Sequence, residues 1–170
     1  MPARPADLLQ LSKDLAALGG SEVWQRCVVS RAYYACLHAT DETFPDAGGP
    51  KRIDGESSHA HIIGKAVAYG RGLKPGRSSA NSIAQMMPKL RRFRNAADYD
   101  IDEVLAPREF SDVVARAERL LALCADVERL REKARDESVA ADHPAHSFTA
   151  SPSCASRDGL APKPSLKRIK

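Results

Sequence analysis

From Pro107 onward the chain reads PREFSDVVARAERLLALCADVERLREKARD, in which Phe110, Val113, Ala117, Leu120, Cys124 and Val127 follow at alternating steps of three and four residues. That spacing puts all six on one side of an α-helix and is the cleanest amphipathic pattern in the chain. Pro107 suits the first turn, where no amide hydrogen is needed. A helix from there to about Asp136 would be roughly 45 Å long at 1.5 Å per residue, enough to flank a whole bundle or meet a partner helix.

Four shorter helices precede it. PADLLQLSKDLAALGG carries Leu8, Leu11, Leu15 and Leu18 at helical spacing and stops at Gly19 and Gly20. The second helix opens at Ser21 as N-cap, is expected to bury Trp24, Cys27, Val28 and Ala35, and ends before Pro45. Ser57 or Ser58 caps a third, HAHIIGKAVAYG. Ser78 or Ser79 caps a fourth through Ile83, Met86, Met87, Leu90 and Ala97, with Pro88 inside it as a point of bending.

Residues 137–170 are rich in Pro, Ser and Ala and poor in large apolar side chains, and are expected to be a disordered tail. Its cations Lys163, Lys167, Arg168 and Lys170 suit a solubilising end more than a nonspecific nucleic-acid contact. The reading is therefore all-α: one bundle of four to five helices over residues 5–136. A length of 170 residues with 43% hydrophobic content supports one sizeable core rather than two.

A formal charge of +4 is compatible with an anionic partner without requiring one. Cys27, Cys36, Cys124 and Cys154 form no CxxC pair, and the first two would point to opposite sides of one helix, so free thiols are expected rather than zinc ligands or disulfides. No metal or cofactor is expected. No apolar run is long enough to span a bilayer and the N-terminus does not resemble a secretory signal, so the expected setting is cytoplasmic, away from membranes.

The end of the fourth helix, RRFRNAADYD, carries an anomaly. Met87, Leu90, Arg94 and Ala97 share one narrow stripe, so Arg94 stands where an apolar side chain belongs. A covered guanidinium needs a carboxylate, carbonyls, a subunit interface or an anionic ligand. Asp98, Asp100, Asp102 and Glu103 then crowd the negative end of the helix dipole, where cations are preferred. Arg94 and Asp98, four apart, can pair.

Together, SRAYYACLHAT on the second helix, RNAADYD ending the fourth and FSDVVARAERLL opening the last make the segment from about Asp7 to Leu130 resemble the HEPN superfamily of small helical bundles. The resemblance is to its bacterial branch with an RAYYAxxHA helix and an RNxADY helix end. It implies a homodimer whose two arginine motifs line a shared cleft. It also implies a metal-independent endoribonuclease serving as a toxin or defence effector beside a nucleotidyltransferase-like antitoxin. The alternative it implies is a module that binds nucleotide or RNA without cleaving it. The family signature is an arginine, a polar residue directly after it, and a histidine a few residues on. Arg94 and Asn95 match the first two parts, and Tyr99 stands where the histidine is expected.

Metal-free RNA cleavage needs a base for the 2′-hydroxyl, an acid for the leaving oxygen and cations for the charge growing on phosphate. Arg94 suits the last task and Asn95 adds a directional donor. With an ordinary pKa near 10, Tyr99 is a weak base but can donate a proton, bond phosphate or stack on a base, unless it is a core residue; Asp98 is an alternative base. Arg31, Tyr34 and His38 share one face of the second helix and are possible contributors, with structural partnership the plainer reading of each. His59 and His61 are assigned no role, and the GRG segment at 70–72 reads as a connection rather than a phosphate-holding loop.

Overall fold

The computed structural model describes residues 2–45, 55–102 and 106–142, and all regular structure among them is helical. The elements are α1 (Pro5–Leu18), α2 (Glu22–Thr43), α3 (Ser58–Arg71), α4 (Arg77–Tyr99) and α5 (Pro107–Asp142). Helix α2 is central and packs on each of the other four. Short connections make α4 and α5 antiparallel neighbours: Ser79 near the start of α4 donates to Asp126 of α5 at 2.7 Å, while the end of α4 faces the start of α5. The core consists of Tyr33 and Val29 on α2, Ile83, Met87 and Leu90 on α4, and Val113, Ala117, Leu120 and Val127 on α5, all fully buried. The apolar stripe of α5 from Phe110 to Val127 is thus one side of this core.

Several details differ from expectation. In α1 the buried residues are Leu9 and Ser12, while Leu11 and Leu18 are exposed. Ser12 tolerates burial because its hydroxyl donates to the Val28 carbonyl at 2.9 Å. In α2, Trp24 and Cys27 are exposed, and the covered stripe begins one turn later at Val28. Trp24 lies back over the α1–α2 turn, so close that a Cβ on Gly20 would stand 3.2 Å from its ring. Helix α4 begins at Arg77 with Gly76 as N-cap rather than Ser78 or Ser79, because Ser79 is drawn inward to Asp126. Gly76 has φ +77°, and a Cβ there would meet the Val127 backbone at 2.9 Å. Ser57 caps α3 as expected, accepting from the Ala60 amide at 3.2 Å.

Helix α4 runs through Pro88, which is exposed. The GRG segment belongs to the end of α3, where a Cβ on Gly70 would fall 2.1 Å from the Asn81 side-chain oxygen of α4; its glycine serves close helix packing. Helix α5 continues to Asp142, past the expected end near Asp136, carried by the helix formers Glu137, Ala140 and Ala141 and by the Lys133–Glu137 pair at 3.8 Å. The remainder of the expected tail, 143–170, and the basic cluster within it lie outside the described residues. Among the described residues no helix is long and apolar enough to cross a membrane.

Candidate functional site

The last turn of α4 leaves carbonyls without intrahelical partners, and no basic residue of α4 itself lies in that turn. The cation comes from α2. Arg26 Nη1 donates to the carbonyls of Ala96 (3.0 Å), Ala97 (3.0 Å) and Asp100 (3.1 Å), its Nη2 donates to Ile101 (3.1 Å), and Glu22 accepts from Nη2 at 2.8 Å. This planar fork closes the negative end of α4 and sets it against the N-terminal half of α2. At the other end of α2, Arg131 of α5 similarly donates to the Thr43 carbonyl at 2.6 Å.

On the α4 end so fixed, Arg94 projects toward α2 with only 12% of its side chain exposed. Its Nε lies 2.7 Å from Asp98 Oδ2, an ion pair without the alignment of a directed hydrogen bond. Nη2 donates to the Tyr34 hydroxyl at 2.8 Å and Nη1 to Asn95 Oδ1 at 3.3 Å. The guanidinium sits between two rings, 5.5 Å from the centroid of Tyr34 and 4.7 Å from that of Tyr99. Burial pulls its pKa down, but hydrogen bonding to the Tyr99 oxygen and the proximity of Tyr34 and Asp98 outweigh this and hold it above the usual arginine value. Ser30 donates to Asp98 Oδ2 at 3.4 Å, tying the carboxylate to α2 as well. The requirement for a partner at position 94 is thus met inside one chain by a carboxylate and two aromatic faces.

Tyr34 extends the cluster outward. Its ring stacks on His38 at 6.4 Å and meets His59 edge-on at 6.2 Å. His59 stands in the first turn of α3, and its Nδ1 is hydrogen-bonded to the Tyr33 hydroxyl at 2.8 Å. Burial pushes the Tyr33 phenol up to about 12 and, with Arg91 and Arg94 nearby, lowers the His59 imidazole below its usual range. Both effects favour the neutral form of His59.

Of the expected site residues, Arg94, Asp98, Tyr99, Tyr34 and His38 converge. Asn95 touches Arg94 but is exposed toward α5. Arg31 is exposed, with no polar contact to the cluster among the described residues. Tyr99 is 65% exposed, so the core alternative for it does not hold. His59 and Arg26 are additions. A buried tyrosine hydroxyl needs a partner, which is the signal that pointed to a residue like His59. The cation-poor end of α4 was the corresponding signal for Arg26. Among the described residues no group of three or more His, Cys, Asp or Glu side chains is placed to hold a metal ion. Compared with protein-family models, curated proteins and solved structures, the chain gives no match.

Proposed function

We propose that the chain is an RNA-directed protein of the HEPN type, an endoribonuclease working as a homodimer with Arg94 as its phosphate-facing cation. The observation that supports this reading is the company Arg94 keeps: its guanidinium lies between Tyr34 and Tyr99, and Tyr34 touches His38 and His59. The histidine missing from the end of α4 thus has two counterparts, on α2 and α3. In cleavage the RNA 2′-hydroxyl attacks the adjacent phosphorus while a base takes its proton. The bond to the 5′-oxygen breaks and an acid protonates that oxygen, leaving a 2′,3′-cyclic phosphate and a 5′-hydroxyl. In this reading exposed His38 takes the proton, Tyr99 returns one, Arg94 and Asn95 stabilise the phosphate oxygens, and Asp98 and Tyr34 hold Arg94 in place. Val23, Tyr99 and Ile101 form an exposed apolar margin where Arg26 joins α2 to α4, which suits a second copy of the chain. The setting that fits is a cytoplasmic toxin or defence system with a nucleotidyltransferase-like antitoxin.

A second reading is favoured by Asp98, which already neutralises an arginine that is 12% exposed. In it the dimer binds RNA or nucleotide without cutting it. Total RNA is incubated with the wild-type protein and with Arg94→Ala, and binding is followed in parallel. Cleavage that disappears with Arg94→Ala supports the enzyme. Binding without cleavage selects the second reading. Absence of both, with Arg94→Ala dissociating a dimer, overturns the two together and leaves Arg94 as an assembly residue.

A further inference from the structure

The face of α4 turned away from Tyr34 borders a groove of about 530 Å³ between α4 and the first turns of α5. Its volume is in the range of small-molecule sites. Three cations line it: Lys89 and Arg92 from α4 and Arg116 from α5. Lys89 and Arg92 are exposed and, among the described residues, pair with no carboxylate. Arg116 reaches Asp112 only at 4.0 Å, and its Nε is shut off from solvent with no hydrogen-bond partner among the described residues. The Arg116 side chain is nonetheless 43% exposed, so its guanidinium is open to an acceptor in the groove.

The groove is polarised along its length. Helix geometry sets Arg92 and Lys89 roughly 12 and 16 Å before Asp100, at 1.5 Å per residue. The acids, Asp100 and Glu109, sit together at the α4–α5 junction. Glu109 Oε2 accepts from the Ala106 amide at 2.7 Å, which leaves its Oε1 and the Asp100 carboxylate as acceptors for a ligand. The half-buried ring of Phe93 stands next to the cations, one residue past Arg92. Cations at one end with an aromatic ring beside them, and carboxylate acceptors at the other, suit a phosphate joined to a flat base that carries N–H or O–H donors. An acidic peptide would find no use for Asp100. Asn95 lines the groove and also bonds Arg94, so the groove and the Arg94 cluster share an edge of α4.

We propose that this groove binds a nucleotide unit, its phosphate on Lys89, Arg92 and Arg116 and its base against Phe93, supplied by a single RNA strand or by a free nucleotide. The inference rests on the RNA-directed reading above and adds a second contact surface to it. A 2′-O-methylated RNA dodecamer labelled with fluorescein, which attack by a 2′-hydroxyl cannot cut, is titrated by anisotropy over a salt series. ATP and inorganic triphosphate serve as competitors, and each is also titrated alone by calorimetry. The Lys89→Gln/Arg92→Gln double variant is expected to bind about tenfold more weakly. Its slope of log affinity against log salt should fall by about 1.4, from two phosphate contacts at about 0.7 each on a single strand. Arg116→Gln is expected to weaken binding as well, whereas Lys133→Gln/Arg135→Gln, exposed at the far end of α5, should change neither affinity nor slope.

ATP binding that depends on Lys89 and Arg92, without RNA binding, supports the groove and makes the free nucleotide its ligand. Triphosphate competing as well as ATP overturns the nucleotide assignment, since the base then contributes nothing. Wild-type binding that the groove variants leave unchanged overturns the groove, as does wild-type protein that binds neither probe. Arg94→Ala separates the two proposals: if it leaves RNA binding and cleavage intact while the groove variants weaken binding, the groove stands and the Arg94 reading fails.

Discussion

Replacing Arg26 by Met keeps most of the aliphatic stem and removes the fork that closes α4. Four carbonyls lose a charged donor, but not equally. Those of Asp100 and Ile101 are exposed and water replaces the arginine there at little cost, whereas those of Ala96 and Ala97 are part-buried. At the lower end of the value for hydrogen bonds to charged groups, about 1.5 kcal/mol each, the two part-buried bonds amount to about 3 kcal/mol. The partly exposed pair with Glu22 adds at most a few tenths, and the lost cation at the helix end about 0.5 kcal/mol. The expected loss is therefore about 3–4 kcal/mol, read as a lower urea midpoint at unchanged slope, with Tm lowered by about 10 °C or more. Arg26→Lys, a point charge without the fork, should recover less than half of it. If Arg26→Met unfolds within 1 kcal/mol of wild type, the fork is not what holds the end of α4, and the account of how Asp98 and Tyr99 are positioned fails with it.

Three further outcomes follow from particular contacts. Gly76→Ala forces a side chain into left-handed backbone and against Val127, and should cost about 2 kcal/mol or more by chemical denaturation, while Gly55→Ala, with open space around it, should cost only the conformational part. His59 binds its proton less readily folded than unfolded, so its contribution to stability is present above pH 6.5 and is lost as pH falls below that value toward its lower folded pKa; His59→Gln should flatten the stability profile between pH 7 and 5. Burial raises the thiol of Cys124 to about 11 and that of Cys36 further still, whereas Cys27 is exposed, so thiol labelling mapped by mass spectrometry should mark Cys27 in the native protein and reach Cys36 and Cys124 only on unfolding.

What could be read from the sequence was what repeats along one helix. The three-and-four spacing of α5 fixes its buried side almost unaided, and Arg94 stood out because its neighbours at the same angle, Met87, Leu90 and Ala97, are apolar. Helix α1 itself was legible, but its buried face was not, because Leu8, Leu9, Leu11 and Leu15 satisfy two overlapping stripes. The choice between them depends on the Val28 carbonyl that accepts from Ser12, a partner on another helix. The same limit applies to the candidate site. The Asp98 pairing lies four residues along one helix and was legible, whereas His59 and Arg26 act across gaps of 26 and at least 70 residues, which no local pattern encodes. Trp24 illustrates the converse: a large ring in the first turn of a helix suggests core, yet the turn it covers is at the rim.

The near contact between Gly70 and Asn81 also reaches the imidazole at the opposite end of α3. Eleven residues of stiff rod, about 16 Å, separate position 70 from His59. A single added methyl would have to tip that rod off its fulcrum or push Asn81 aside. The angle at which His59 meets Tyr33 and Tyr34 is thus governed by a missing atom far from both rings, so an alanine there would detune the histidine without touching it.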